Sequence, residues 1–137
     1  MKNERVSSPG GVPWPAIVDR YRTHRDKGDD GALADALAGL EILATEIANG
    51  PLSSALFSWT SMFDLCIQQT DTGPASGPYL RVRPVSTGCV EFRYIDTAVP
   101  ERQWHREVPP EAVLPRFRTF LEQLHWVGRG TAPRATD

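Results

Sequence analysis

The strongest constraint on this chain's fold is that its hydrophobic period changes twice, each time at a cluster of Pro and Gly. A helix brings residues three and four apart onto one face, whereas a strand brings alternate residues together. Apolar residues follow the helical spacing over 15–48, alternate over 61–108, and return to the helical spacing over 111–127. Asn49-Gly50-Pro51 marks the first change and Pro109-Pro110 the second. Helices in one block and strands in another predict an α+β domain rather than alternating βαβ units.

In the first block Trp14, Ile17, Val18 and Tyr21 share a face, and Pro15 suits a first helical turn. Gly28 is placed to stop this helix and Asp30 to cap the next. A second helix over 32–48 carries Leu33, Ala36, Leu37, Leu40, Leu43, Ala44 and Ile47 on one arc. The short connection implies an antiparallel helical hairpin. Residues 52–60 read equally as a short helix or an extended lead-in.

Four strands are expected, over 61–68, 79–85, 89–96 and 102–108. Their inward residues are Phe63, Leu65 and Ile67, then Leu80 and Val82, then Val90, Phe92 and Tyr94, then Trp104 and Val108. Hairpin-length connections favour an antiparallel meander, which can keep one face wet. A last helix over 111–127, stopped by Gly128, buries Val113, Leu114, Phe117, Phe120, Leu121 and Leu124. The expected architecture is therefore an N-terminal helical hairpin, a four-stranded antiparallel meander and a C-terminal helix, in two layers. One domain spans 13–128, with a flexible N-terminus over 1–12 and a disordered tail over 129–137.

Charge narrows the function classes. The net charge is −2, and the distribution is uneven. From Gly31 to Leu80 there is no Lys or Arg, and the acids are Asp35, Glu41, Glu46, Asp64 and Asp71; from Arg81 onward arginine is frequent. Nucleic acid is not an expected partner, since phosphate binding needs a basic surplus. No apolar run resembles a signal peptide or spans a bilayer, so no membrane is expected and the default location is cytoplasmic. The two cysteines, Cys66 and Cys89, form no CxxC or Cys/His cluster, and no His has a second ligand at i+4. No metal and no cofactor are therefore expected.

Asp64, Cys66 and His105 have the residue types of a thiol nucleophile with its base and orienter. They sit on strands that are not neighbours in a meander, and no helix N-terminus lies near Cys66 to lower its pKa. No catalytic residue is assigned, and a binding module is preferred to an enzyme.

Two surfaces can carry binding. On the second helix Ile42 falls between Asp35 and Glu46, away from the leucine arc, and Trp59 is a candidate anchor. These four residues suit a protein partner with basic character, in the manner of a small bacterial immunity-type protein that neutralises a toxin. The alternative is an anionic small ligand, or a minor enzymatic activity, on the outward sheet face, using Arg81, Arg83, Arg93 and His105. The ordinary account of that face is cross-strand pairing of Arg83 with Glu91 and of Arg93 with Glu107. A third reading is a homo-oligomer joined through edge strands, with the oligomeric state open.

Overall fold

The structure, a computed structural model, describes residues 12–27, 31–70, 73, 75 and 77–126. Five antiparallel strands, one more than the sequence spacing predicts, make one layer: β1 (Phe57–Ser61), β2 (Asp64–Gln68), β3 (Tyr79–Pro84), β4 (Val90–Ile95) and β5 (Trp104–Val108). Each pairs with its neighbour in the chain, in the order β1-β2-β3-β4-β5. The extra strand lies in the segment that read as helix or lead-in. Its inward residues are Ser58 and Thr60, so it lacks the apolar alternation that marks the others.

The expected strand over 61–68 is broken by a two-residue turn, Met62-Phe63, with Ser61 opposite Asp64 on either side of it. Phe63, expected inside, is therefore on the turn and 40% exposed. Beyond it the expected alternation holds. Leu65, Val82 and Phe92 align in one inward row, and Ile67, Leu80, Tyr94 and Trp104 in the next.

Three helices cover the inward face: α1 (Trp14–Lys27), α2 (Ala32–Ala48) and α3 (Val113–Leu124). α1 lies toward β1 and β2, where Trp14 Nε1 donates to the Leu56 carbonyl at 3.0 Å. α2 lies over the middle of the sheet. Gly39 permits its close approach, because a Cβ there would sit 3.3 Å from Val90 Cγ2 and 3.5 Å from Pro110. α3 covers β4 and β5, with Phe120 packed on Phe92 and Trp104 at ring-centroid distances of 5.0 and 4.7 Å. Buried apolar side chains from all three helices and the sheet form one continuous core. No helix among the described residues is long and apolar enough to cross a membrane.

Local expectations differ at the helix ends. Leu33, placed on the buried arc of α2, is 42% exposed. The residue at the N-terminal cap of α2 is Gly31, which offers no side-chain cap. The last helix starts after a 3-10 turn over Pro110–Ala112, and it ends at Leu124 rather than at Gly128. His125 takes the left-handed cap conformation that glycine usually supplies, with φ 60°. The Trp126 N–H then closes back on the Leu121 carbonyl at 3.0 Å, and its ring is buried near Tyr94. Gly28, Asp30, Gly128, residues 1–11 and the expected tail lie outside the described residues. Val12, assigned to the N-terminal segment, bonds by its N–H to the Ser58 carbonyl on the β1 edge at 2.7 Å.

Candidate functional site

The uncovered sheet face carries the alternative site. One row across it runs Trp59, Cys66, Arg81, Arg93 and His105, from β1 to β5. Asp64 is buried and takes two arginines, Arg81 Nε at 2.6 Å and Arg83 at 3.5 Å. Glu91 takes Arg93 Nε at 3.0 Å and Arg83 at 3.9 Å. Each of the three arginines therefore has a carboxylate. The expected pair of Arg93 with Glu107 is not formed. Arg93 stands opposite His105, and Glu107 opposite Glu91, so Arg93 turns to Glu91 on its own strand. Glu107 accepts instead from Thr87 Oγ1 at 3.1 Å. Arg81, Arg83 and Arg93 balance Asp64, Glu91 and Glu107, leaving no net charge on this set. His105 is exposed on β5 and borders a pocket of about 160 Å3 with Arg93, Gln103 and Trp104.

Cys66 is fully buried on the same row, between Trp59 and Arg81. Burial pushes its thiol up to about 11, a shift that Arg81 opposes and Asp64 reinforces. His105 lies three strand spacings away, roughly 14 Å at the usual separation of neighbouring strands. The thiol and the imidazole cannot act together, and the thiol is protonated at neutral pH. Among the described residues no cluster of His, Cys, Asp and Glu could hold a metal ion.

The second surface lies on the far side of the molecule. α2 is the central helix of its layer, and its outward stripe is Asp35, Ala38, Ile42, Thr45 and Asn49. Ile42 is 51% exposed. It borders a groove of about 390 Å3 with Arg22, Ala38, Glu41, Thr45, Glu46 and Asn49. Arg22 reaches in from α1 to Glu41 at 3.1 Å, and Arg118 from α3 to Glu46 at 2.8 Å. Two acids of α2 are thus compensated by arginines distant in sequence. Asp35 has no ion pair among the described residues.

The four partner residues do not form one site. Asp35, Ile42 and Glu46 share the outward face of α2, as their helical spacing predicts. Trp59 is on the opposite layer, half-buried with its ring 5.1 Å from that of Tyr79. Sequence reasoning also missed Arg22 and Glu41 as rim residues and Arg118 as the partner of Glu46, because their pairing is purely tertiary. Comparison with protein-family models, with curated proteins and with solved structures finds no match for this chain, so its role is argued from these surfaces.

Proposed function

We propose that this chain is a non-enzymatic protein-binding domain whose partner seats on the outward face of α2. The observation that carries this reading is Ile42, a large apolar side chain half exposed in a groove on the central helix. Around it lie ion-paired polar groups from α1 and α3. An apolar centre with a polar rim is the usual anatomy of a recognition patch. The complementary partner inserts an apolar side chain beside Ile42 and sets Lys or Arg against Asp35 and the Glu46 side of the rim. Neutralisation of a toxic protein, the immunity-type role, is the specific form of this reading that the acidic segment suggests. Its electrostatic support is narrower than the sequence implies, since Arg22, Arg118 and Arg81 compensate three of the acids. The anionic-ligand reading has less support, because all three of its arginines are engaged by carboxylates.

The test is a pull-down from the native host with the tagged wild-type chain, Ile42→Arg, and Trp59→Ala as a control on the opposite layer. Ile42 is exposed, so Ile42→Arg should change stability by less than ~0.5 kcal/mol. A specific protein retained by wild type and Trp59→Ala but lost from folded Ile42→Arg is the expected outcome. An identical set of proteins from wild type and Ile42→Arg refutes the assignment of the face. For the immunity-type form, expression of the captured protein alone should arrest growth, and co-expression of this chain should restore it.

A further inference from the structure

The sheet has two edges, β1 and β5, and the chain closes one of them itself. On the β1 edge the Val12 N–H donates to the Ser58 carbonyl at 2.7 Å, and Ser58 is fully buried. Nothing among the described residues does the same for β5, where His105, Arg106 and Glu107 are exposed in succession. The described chain does not end at that edge either: the Trp126 carbonyl accepts from Gln69 Nε2, just beyond β2, at 3.3 Å.

The hydrogen-bond pattern of the sheet defines which backbone groups β5 offers. The Val85 N–H donates to the Cys89 carbonyl at 2.9 Å, so these two residues form a bonded pair. Bonded and non-bonded pairs alternate along an antiparallel ladder. Glu91 and Arg93 therefore bond toward β3, while Val90, Phe92 and Tyr94 bond toward β5, where they meet Val108, Arg106 and Trp104. The N–H and C=O groups of His105 and Glu107 are left pointing away from the sheet. Arg106 Nη1 reaches the His105 carbonyl at 2.9 Å, as that orientation allows. The side chains at the same two positions are also uncommitted. Asp64 and Glu91 hold Arg81, Arg83 and Arg93. Glu107 has the Thr87 hydroxyl but no ion pair among the described residues, and it stands opposite Glu91. His105 stands opposite Arg93 and likewise has no ion pair among the described residues.

We infer that β5 is the interface of a twofold homodimer, in which the strands of two copies pair antiparallel about Arg106. This register sets His105 of each copy opposite Glu107 of the other, at the positions whose backbone groups point outward. Each copy then gives and takes backbone hydrogen bonds at both residues. On the open face the acidic row of one copy, Glu91 and Glu107, runs on into His105 and Arg93 of the second copy. On the inward face Trp104 meets Val108 of the second copy. The neighbouring registers are poorer. Centring on His105 sets Glu107 against Gln103, and centring on Glu107 sets two carboxylates together and His105 against Pro109, which has no N–H to give. A foreign strand could satisfy the backbone, but a second copy supplies the matching charges at both positions by symmetry. Arg106 is the guard of this edge. Its guanidinium lies over its own Trp104, 5.8 Å from the ring centroid, and the isolated chain keeps it on the His105 carbonyl. Dimerisation moves it off that carbonyl, and the twofold carries the two guanidiniums in opposite directions along the strands. A charged side chain that blunts an edge makes the association weak rather than permanent.

The experiment is sedimentation equilibrium of the full chain from about 10 µM to about 1 mM, the range in which a contact below the standard interface size dissociates. The expected result is a reversible monomer–dimer equilibrium. Glu107→Lys should weaken it at least about tenfold, and the charge swap His105→Glu with Glu107→Lys should restore it. Arg106→Ala should tighten it, because the guard and the like charges at the axis are both removed. In a Cys89→Ser background, Arg106→Cys should form a disulfide-linked dimer under mild oxidation, whereas Glu111→Cys should not, since only position 106 faces its own copy across a non-bonded pair. Ile42→Arg, the test of the α2 face, should leave the equilibrium unchanged, so each reading can fail alone. A chain that stays monomeric over the whole range overturns the inference. So does a dimer that Glu107→Lys leaves intact, or one that Glu107→Lys dissociates and the charge swap fails to restore. An Arg106→Cys adduct in the native host with a protein other than this chain would replace the second copy with a foreign strand.

Discussion

Replacing Asp64 by Asn removes one buried charge from the outward sheet face, at the turn end of β2, while keeping the shape of the side chain. Asp64 is 5% exposed and holds Arg81 at 2.6 Å and Arg83 at 3.5 Å. Removing one partner of a fully buried ion pair typically costs about 3–5 kcal/mol. Here the arginine side chains keep 27% and 44% of their exposure, so both guanidiniums can recover water when the carboxylate is gone. The expected loss is therefore about 2–3 kcal/mol, close to the value of a strong charge-assisted hydrogen bond. Arg83→Gln, at a longer distance and a more exposed site, should cost less than ~1 kcal/mol. Urea unfolding followed by tryptophan fluorescence measures both. A double-mutant cycle should give a coupling of Asp64 with Arg81 at least about twice that with Arg83. A loss below ~1 kcal/mol for Asp64→Asn, or equal couplings, would refute the view that one buried carboxylate organises this face. The same variant leaves Arg81 and Arg83 short of a partner. Inorganic phosphate should then bind Asp64→Asn measurably more tightly than wild type; equal binding would mean that pairing does not suppress anion recognition there.

The thiols and one turn give further checks. Cys89 is half-buried and should react with an aromatic disulfide reagent in the folded chain, whereas buried Cys66 should react only on unfolding. The Cys66 thiol ionises at about 11 in the fold against 9.0 ordinarily, so the folded state holds this proton longer. Its contribution, on the order of 2–3 kcal/mol, is complete below about pH 9 and is lost as pH rises toward about 11. Tyr21, whose phenol is raised by burial and then by Asp64 and Cys66, adds a loss of the same sign at higher pH. Cys66→Ala should flatten the first part of this alkaline decline, and an unchanged slope of urea midpoint against pH would count against it. Gly88 has φ 96°, and a Cβ there would meet the Ala32 carbonyl oxygen at 3.3 Å. Gly88→Ala should cost about 1–3 kcal/mol, and an unaltered thermal midpoint would contradict the tight contact of that turn with α2.

Where the sequence was legible, one periodicity governed a whole element. α2 buries Leu37, Leu40, Leu43 and Ile47, and the same wheel correctly turned Ile42 outward. β3 and β4 alternate cleanly because one face is core and the other is open. β1 was illegible because it inverts that code: Ser58 and Thr60 face inward, while Phe57 and Trp59 face the open side. Met62-Phe63 read as strand because no Gly or Asn announces the turn, and arginine and tyrosine from α1 supply what turn chemistry does not. Trp59 lies on the other layer from the α2 residues, a placement that depends on the same unannounced hairpin. The rim of the α2 groove was hidden more deeply. Arg22 and Glu41 are 19 residues apart, and Glu46 and Arg118 are 72 apart, separations that no local pattern encodes.

The strict neighbour-to-neighbour strand order has a kinetic consequence. No strand must wait for a distant segment before it can pair, so each hairpin can form on its own and the sheet can grow from any of them. The costly loop closures belong to the helices instead. Trp14 to Leu56, Arg20 to Met62 and Tyr21 to Phe63 all span 42 residues, so the side-chain hydrogen bonds of α1 to this region close loops of one length. Closure entropy grows only slowly with loop length and is incurred largely once, so these contacts should form together. Topologies dominated by local pairing fold quickly. The chain should therefore assemble its meander first and seal it with α1 in one late docking step, which also locks the Met62-Phe63 tip.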